Sequence, residues 1–413
     1  ARRRTVEFHY SPSSRAGLPA PKERWDGFPP YNFVGGDNDA DAVPVEDFIA
    51  ASQSMLAREG RTLATYGLSS GPQGYRPLRE FIASSLNARA GMRQTADDIL
   101  IVSGSLQALD LVNAVFLSPG DTVVLEEANY HGTLARLERA GVRRLGVPLD
   151  GNGMRMDALA NILARLKAEG TRPKYIYTIP TVQNPTGSIM PEARRLEMLR
   201  LAREYDVPIF EDDCYADLTF DGTRPRAIRA LDDRGQVVYC GSFSKTVAPA
   251  LRVGYVVAEW EVLSRLLAVK YDAGSGALEQ MMLAEYCATH FDAHVSELQG
   301  VLKFKCDTIM EALAAEFGTA AEFSAPKGGI FIWVTLPNEV DTSRLGEVAL
   351  AQGVALNPGA EWCADPETGR HRLRLCFGHP SEREIRDGVA RLAQICHEET
   401  GIPARSHNMG RTL

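Results

Sequence analysis

YCGSFSKTVAPALRVGYVV, from Tyr239 to Val257, decides how the rest of the chain is read. Two apolar, strand-like pieces flank a small polar turn that carries Ser242, Ser244 and Lys245, and Arg252 follows seven residues after the lysine. Hydroxyls, one amine and a guanidinium gathered at a strand end suit an anionic ligand, because serine hydroxyls and arginine hold phosphate and arginine does so bidentately. A lysine set among apolar neighbours loses its proton readily and becomes an amine nucleophile, the form that makes Schiff bases with aldehydes. A Ser-x-Ser-Lys string standing alone is most often a solvated turn, so the reading rests on what surrounds it.

The bulk numbers set the class. At 413 residues the chain has room for two domains and a large core. Hydrophobic residues make up 45% and charged residues 24%, which is ordinary for a soluble globular protein. The formal net charge of -8 excludes nucleic acid as an expected partner. Seven cysteines are scattered without a Cys-x-x-Cys pair, which argues against a disulfide framework and for a reducing compartment. The basic start, Ala1-Arg-Arg-Arg, lacks a following apolar stretch, so no signal peptide is expected. No apolar run approaches the roughly 20 residues that span a bilayer. A cytoplasmic enzyme with no membrane partner is the expectation.

Outward from the central stretch, strand and helix alternate. DILIV (98–102), DTVVLEE (121–127), RRLGVPL (143–149), KYIYTIP (174–180), VPIFEDD (207–213), VVYCG (237–241) and RVGYVVA (252–258) read as strands, with helices between them. Strand runs that are apolar throughout predict an α/β fold with a mostly parallel sheet sandwiched by helices, and ligands bind such sheets at the C-terminal strand ends. After about residue 260 long helical segments run to 317, followed by strands at 328–336 and 371–377 and helices at 342–352 and 381–399, a smaller α+β unit. The expected division is a large domain over 45–290 and a small one over 291–413, joined by an N-terminal arm, 1–44. That arm is rich in Pro and Gly, and Trp25, Phe28, Tyr31 and Phe33 argue that it is ordered.

Five further places carry chemistry. Ser103-Gly104-Ser105 ends one strand and opens a helix, whose free N–H groups make a phosphate site; the plainer reading is a helix-capping serine. Neither G-x-G-x-x-G nor a Walker A string is present. Tyr130 follows a strand, where an aromatic can stack on a flat heterocycle or simply fill the core. Asn184-Pro185-Thr186-Gly187 is, as local chemistry, a turn. Asp212 ends a strand, with Tyr215 three residues on. A carboxylate there keeps a pyridine nitrogen protonated, and the plainer reading is a helix N-cap for Asp212 or Asp213. Arg374 on the alternating strand HRLRLCF can grip a carboxylate, but Arg370, Arg372 and Arg383 stand close by and local chemistry does not choose among them. His290 and His294 sit four apart on a helix, yet the zincin glutamate position is Phe291, so no metal is expected.

Phosphate plus aldehyde describes pyridoxal 5'-phosphate. The stretch around Lys245, with these motifs in this order, resembles fold type I pyridoxal-phosphate enzymes, in particular class I/II aminotransferases of the 2-aminoadipate-like subgroup. The resemblance implies an aspartate aminotransferase-like large domain in which Lys245 holds the cofactor as an aldimine. It places Ser103, Gly104, Ser105, Leu106, Ser242, Ser244 and Arg252 around the cofactor phosphate, and stacks Tyr130 on the ring. Asn184 and Tyr215 bond the 3'-oxygen, and Asp212 the ring nitrogen. It also chooses Arg374, with Asn184, for the substrate carboxylate. Gly36, of the pair Gly35-Gly36, resembles the glycine that lets the arm close over substrate. Tyr66 resembles a tyrosine that reaches the neighbouring subunit's phosphate, which implies a homodimer with shared sites. Its loop is about three residues longer than the common form, and Tyr75 is a rival. Leu106 stands where a polar residue is common, Cys214 where proline is common, and Phe377-Gly378 where Phe-Ser is common.

The implied activity is transfer of an amino group from an L-amino acid to a 2-oxo acid by a ping-pong mechanism, with Lys245, Asp212 and Tyr215 catalytic. A lyase acting at Cβ on the same scaffold is the alternative. A ligand-sensing regulator is the other, against which stands the absence of a helix-turn-helix pattern in the about 60 residues before Tyr66. The resemblance does not name the amino acid, because side-chain recognition in this subgroup comes largely from the arm.

Overall fold

Alternate residues of each central strand enter different cores, and this makes the sheet a filling between two helical layers. Ile99 and Ile101 pack with Met55, Leu78, Ile82 and Met281, from the helices Val45–Glu59, Arg76–Arg89 and Ala277–Phe317. Leu100 and Val102 pack with Leu109, Leu134 and Leu263, from Ser105–Phe116, His131–Arg139 and Trp260–Val269. A strand buried on both faces has no polar side to show, which is why these segments read as continuous apolar runs. The computed structural model describes residues 9, 11–25 and 27–404; the basic start Ala1–Arg4, on which the signal-peptide expectation rests, lies outside them.

The sheet has seven strands in the spatial order Ile99–Val102, Gly254–Val257, Val237–Ser242, Ile209–Asp212, Ile176–Thr178, Thr122–Glu126 and Arg143–Val147. All neighbours are parallel except Gly254–Val257, which runs antiparallel to both of its partners. A second sheet is antiparallel and made of Glu322–Phe323, Phe331–Thr335, Arg372–Cys376 and Asn357–Pro358.

The arm belongs to this second unit. Tyr31–Asn32 pairs in parallel with Val354–Ala355, and Phe33 is buried among Cys306, Ile309, Leu375 and Phe377. Of the arm aromatics named above, Trp25 and Phe28 remain exposed and meet edge to face at 5.7 Å. The sequence pattern placed a domain boundary at 290, inside what is one 41-residue helix, Ala277–Phe317. Its Met281–Val295 half packs into the core of the large sheet, and Cys306–Phe317 into that of the small one. At about 1.5 Å per residue such a helix is long enough to belong to both units. Among the described residues no helix is long and apolar enough to cross a membrane. All seven cysteines are free.

Candidate active site

At the C-terminal ends of the central strands lies a cavity of about 320 Å³. Strand Val237–Ser242 feeds Lys245 into it. The Lys245 amine donates to the Gly36 carbonyl at 2.6 Å, and burial pulls its pKa below the ordinary lysine value. Arg252 adopts a left-handed conformation, φ 53°. Its guanidinium donates to the Ser244 hydroxyl at 3.3 Å, the Pro249 carbonyl at 3.0 Å and the Ser103 carbonyl at 3.4 Å. Gly104 lies against that guanidinium, where a Cβ would collide with it. Ser105, Leu106, Ser242, Ser244 and Arg252 all line the cavity; Ser103 and Gly104 hold Arg252 from behind.

The next strand brings Asp212, 6% exposed. Its carboxylate accepts from the Tyr177 hydroxyl at 2.6 Å and has no ion-pair partner among the described residues. Burial pushes its pKa up. The neighbouring Asp213 is spoken for by Arg224 at 3.2 Å and the Tyr239 hydroxyl at 3.1 Å, and neither aspartate caps a helix. A buried carboxylate without a cation fits a protonated heterocyclic nitrogen, whose charge would reverse the burial penalty.

Tyr215 and Asn184 meet at 3.3 Å, and Asn184 in turn accepts from Arg374 at 3.2 Å. Arg374 is 3% exposed. It donates to the Gly35 carbonyl at 2.5 Å and to the Asn357 side chain at 2.8 Å, and its guanidinium carbon sits 3.9 Å from the centre of the Trp362 ring. Burial lowers its pKa, and no carboxylate pairs with it among the described residues. Its rivals are engaged elsewhere. Arg370 pairs with Asp341 and Arg383 with Asp387, both at 3.3 Å, and Arg372 lines a separate cavity. Tyr130 lines the same cavity as Arg374, its ring 5.8 Å from that of Trp362. Gly36 leaves the space Lys245 needs, since a Cβ there would stand 2.5 Å from the amine nitrogen.

Ser103 and Gly104 reach this cavity only through Arg252, and Tyr66 is not brought to it at all. It is 88% exposed and lines a different hollow together with Lys270, Gly274 and Ser275. Its rival Tyr75 is buried, donates to Glu59 at 2.6 Å and has its pKa pushed up to about 12, so it is committed to the interior. His294 meets the Thr246 carbonyl at 2.8 Å, and the exposed His290 stacks on Tyr286. Asp212, Cys214 and Cys240 do bring three potential metal-ligand atoms within 4.8 Å of one another. Sequence reasoning missed Tyr177, Asn357 and Trp362. Tyr177 is one of three hydroxyl residues in the run KYIYTIP and nothing singles it out, and Asn357-Pro358-Gly359 reads as a plain turn.

Sheet, lysine, buried aspartate and two unpaired arginines together define a fold type I pyridoxal-phosphate enzyme. A sequence model of the family "Aminotransferase class I and II" matches residues 31–392, and the chain belongs to that family. It is 34% identical over 371 residues to aromatic-amino-acid aminotransferase 1 of Thermococcus litoralis, covering 89% of this chain and 88% of that one. It is 32% identical over 353 residues to an uncharacterised HTH-type transcriptional regulator of Bacillus subtilis, covering 85% of this chain and 71% of the regulator. The crystal structure of LysN, the α-aminoadipate aminotransferase of Thermus thermophilus, superposes with a TM-score of 0.82 at 32% identity, over 89% of this chain and 92% of that one; it is complexed with N-(5'-phosphopyridoxyl)-L-leucine. The protein is a pyridoxal-phosphate-dependent aminotransferase.

Proposed function

We propose that this aminotransferase passes the amino group of an L-amino acid to a 2-oxo acid in two half-reactions, with Lys245, Asp212 and Tyr215 as its catalytic residues. One observation carries the reading. Arg252 and Arg374, neither with a carboxylate partner among the described residues, share one cavity with Lys245 and Asp212. Two guanidiniums on one cavity without carboxylate partners, Arg374 buried and Arg252 exposed, call for two anions, a substrate carboxylate and a cofactor phosphate.

Arg252, Ser242, Ser244, Ser105 and the helix N-terminus at Ser105 would hold the phosphate. Tyr130 would stack on the ring, and Asn184 and Tyr215 would bond its 3'-oxygen. When bound, pyridoxal phosphate supplies an aldehyde that condenses with amines and a ring that takes up the electrons left on Cα. Asp212 keeps the proton on the ring nitrogen. Arg374 and Asn184 orient the substrate carboxylate. Lys245, whose burial favours the neutral amine, takes the proton from Cα and returns it at the far side of the transfer. Gly36 closes the arm over the substrate.

A second cavity of about 710 Å³ shares Gly35 and Asn357 with the first and is walled by the arm. With relatives named for aromatic amino acids and α-aminoadipate, this supports donors with long side chains. Tyr66, exposed and remote from its own site, supports a two-fold dimer in which it reaches the partner's phosphate. Seven unpaired cysteines support the cytoplasm. We keep the division into an arm (1–44), a large domain (45–290) and a small one (291–413), with the long helix shared across the boundary.

The test is a half-reaction screen that follows the cofactor's visible absorbance against a panel of L-amino acids. A subset with long side chains should bleach it. A panel in which no amino acid does so while simple amines do would sink the proposal.

A further inference from the structure

We propose that Trp362 is a positioning residue for Arg374, and that the stretch Asn357–Trp362 fastens the carboxylate grip of the small unit to the ring-stacking edge of the large one. The proposal rests on the reading of Arg374 as the carboxylate-binding residue.

Arg374 lies with its guanidinium carbon 3.9 Å from the Trp362 ring centre, and on a second side 5.3 Å from that of Phe331. The Asn357 side chain, from the same stretch as Trp362, accepts from its Nε at 3.3 Å and from Nη2 at 2.8 Å. With no carboxylate near, a buried guanidinium depends on such partners to stay in one orientation, and a desolvated aromatic face attracts it strongly. The indole N–H has no hydrogen-bond partner among the described residues, and it is the ring face that meets Arg374.

The stretch is also tied to the other unit. The Asn129 backbone N–H donates to the Trp362 carbonyl at 2.8 Å, Ala128 bridges to Cys363, and the His131 ring meets the Glu361 carbonyl at 3.1 Å. Tyr130 sits in the middle of those three anchor residues. Trp362 therefore has Arg374 on its ring and Tyr130 5.8 Å away, and it fixes the distance between the two grips.

The experiment compares Trp362→Leu and Trp362→Phe with the wild-type holoenzyme, and Arg374→Ala beside them. The amino acid is the one with the highest kcat/KM in the half-reaction panel. Trp362→Leu should raise KM by about tenfold or more, while kcat changes by less than about threefold; Tm should fall in both Trp362 variants, because a buried ring is made smaller, so the KM difference between Leu and Phe is the readout. Trp362→Phe should restore KM to within about threefold of wild type, because it keeps the aromatic face. If Arg374→Ala raises KM but Trp362→Leu does not, the proposal falls alone. Equal damage from Leu and Phe also overturns it, since the N–H would then be what matters. Should Arg374→Ala leave KM unchanged, the carboxylate reading falls and takes this proposal with it.

Discussion

Lys245 and Gly36 are joined by a hydrogen bond of 2.6 Å across 209 residues of sequence, from amine to backbone carbonyl. The reactive lysine thus holds the arm in place, and the arm holds the lysine. Gly36 is needed for want of space, because a Cβ would stand 2.5 Å from the amine nitrogen. Gly36→Ala should displace the lysine tip. We expect kcat to fall about tenfold, the cost of misplacing a reacting group by a fraction of an ångström, with the cofactor still bound. Steady-state rates beside the visible spectrum check this, and an unchanged kcat would show that the lysine works in another position.

Lys245 should be the single point of covalent attachment. After borohydride reduction, peptide mass mapping should find the pyridoxyl group on Lys245 alone, and Lys245→Ala should carry none. A label on any other lysine overturns the assignment of the whole cavity, because Arg252 and Asp212 are read through their closeness to Lys245.

Tyr66 tests the dimer. Its side chain is 88% exposed, so a change there has little to disturb within its own subunit. Tyr66→Phe should weaken cofactor affinity by about tenfold to a hundredfold, the loss of one hydrogen bond to a charged group, while leaving Tm unchanged. Sedimentation should show a dimer at assay concentration. A fully active monomer would mean that the phosphate site is complete within one chain.

Much of the fold was legible because its signals were local. Strands buried on both faces leave unbroken apolar runs, and helices such as Glu382–Thr400 begin with a Ser381–Glu384 capping box that the sequence displays. That one helix, Ala277–Phe317, serves both cores was not legible, because both of its halves carry apolar residues and nothing in the pattern marks where they change core. In the site, Lys245, Asp212 and Asn184 could be found because each lies just past a strand end. Trp362 and Asn357 could not. Their partner Arg374 lies on another strand, and the contact exists only once Asn357–Pro358 pairs beside Arg372–Cys376. That the neighbouring Asp213 is held by Arg224 likewise shows only in the fold.

Glu126 gives a prediction about pH. It is fully buried, accepts from Thr178 at 2.6 Å and Asn129 at 2.7 Å, and burial raises its pKa from 4.5 to about 7. A folded-state pKa above the unfolded one means that the folded protein binds the proton more tightly. The stability this contributes is fully present below pH 4.5 and is lost as pH rises through about 7. Glu126→Gln should flatten that decline in Tm. It should not abolish it, because Glu211 is raised to about 7 as well. Parallel pH–Tm curves for the two proteins would show that Glu126 does not titrate in that window.

The reaction itself is open to test, since elimination and decarboxylation could begin from the same bound amino acid. Lys245 and Asp212 serve all three reactions, so the choice lies with the groups that fix the substrate. The Cα bond that breaks is the one held perpendicular to the electron-accepting ring, where the new lone pair overlaps it. Arg374 and Asn184 are joined at 3.2 Å, and on the proposed reading the pair would clamp the carboxylate. A carboxyl group clamped in the ring plane keeps its own bond intact and leaves Cα–H to be broken by Lys245. Elimination would further require a proton donor aimed at a leaving group on Cβ. His379 does not line the cavity, and the ring of His131, which does, meets the Glu361 carbonyl at 3.1 Å. Incubation with an amino acid and excess 2-oxoglutarate should therefore yield a new 2-oxo acid and glutamate in equal amounts. Release of ammonia and pyruvate from a β-substituted amino acid, with no oxo acid present, would identify a lyase instead. Arg374→Ala should lower kcat/KM by at least about a hundredfold, the loss of two hydrogen bonds to a charged group, and leave the bound cofactor's spectrum unchanged. Were that variant to keep its full kcat/KM, the clamp would not be at Arg374, and transamination would lose its structural basis here.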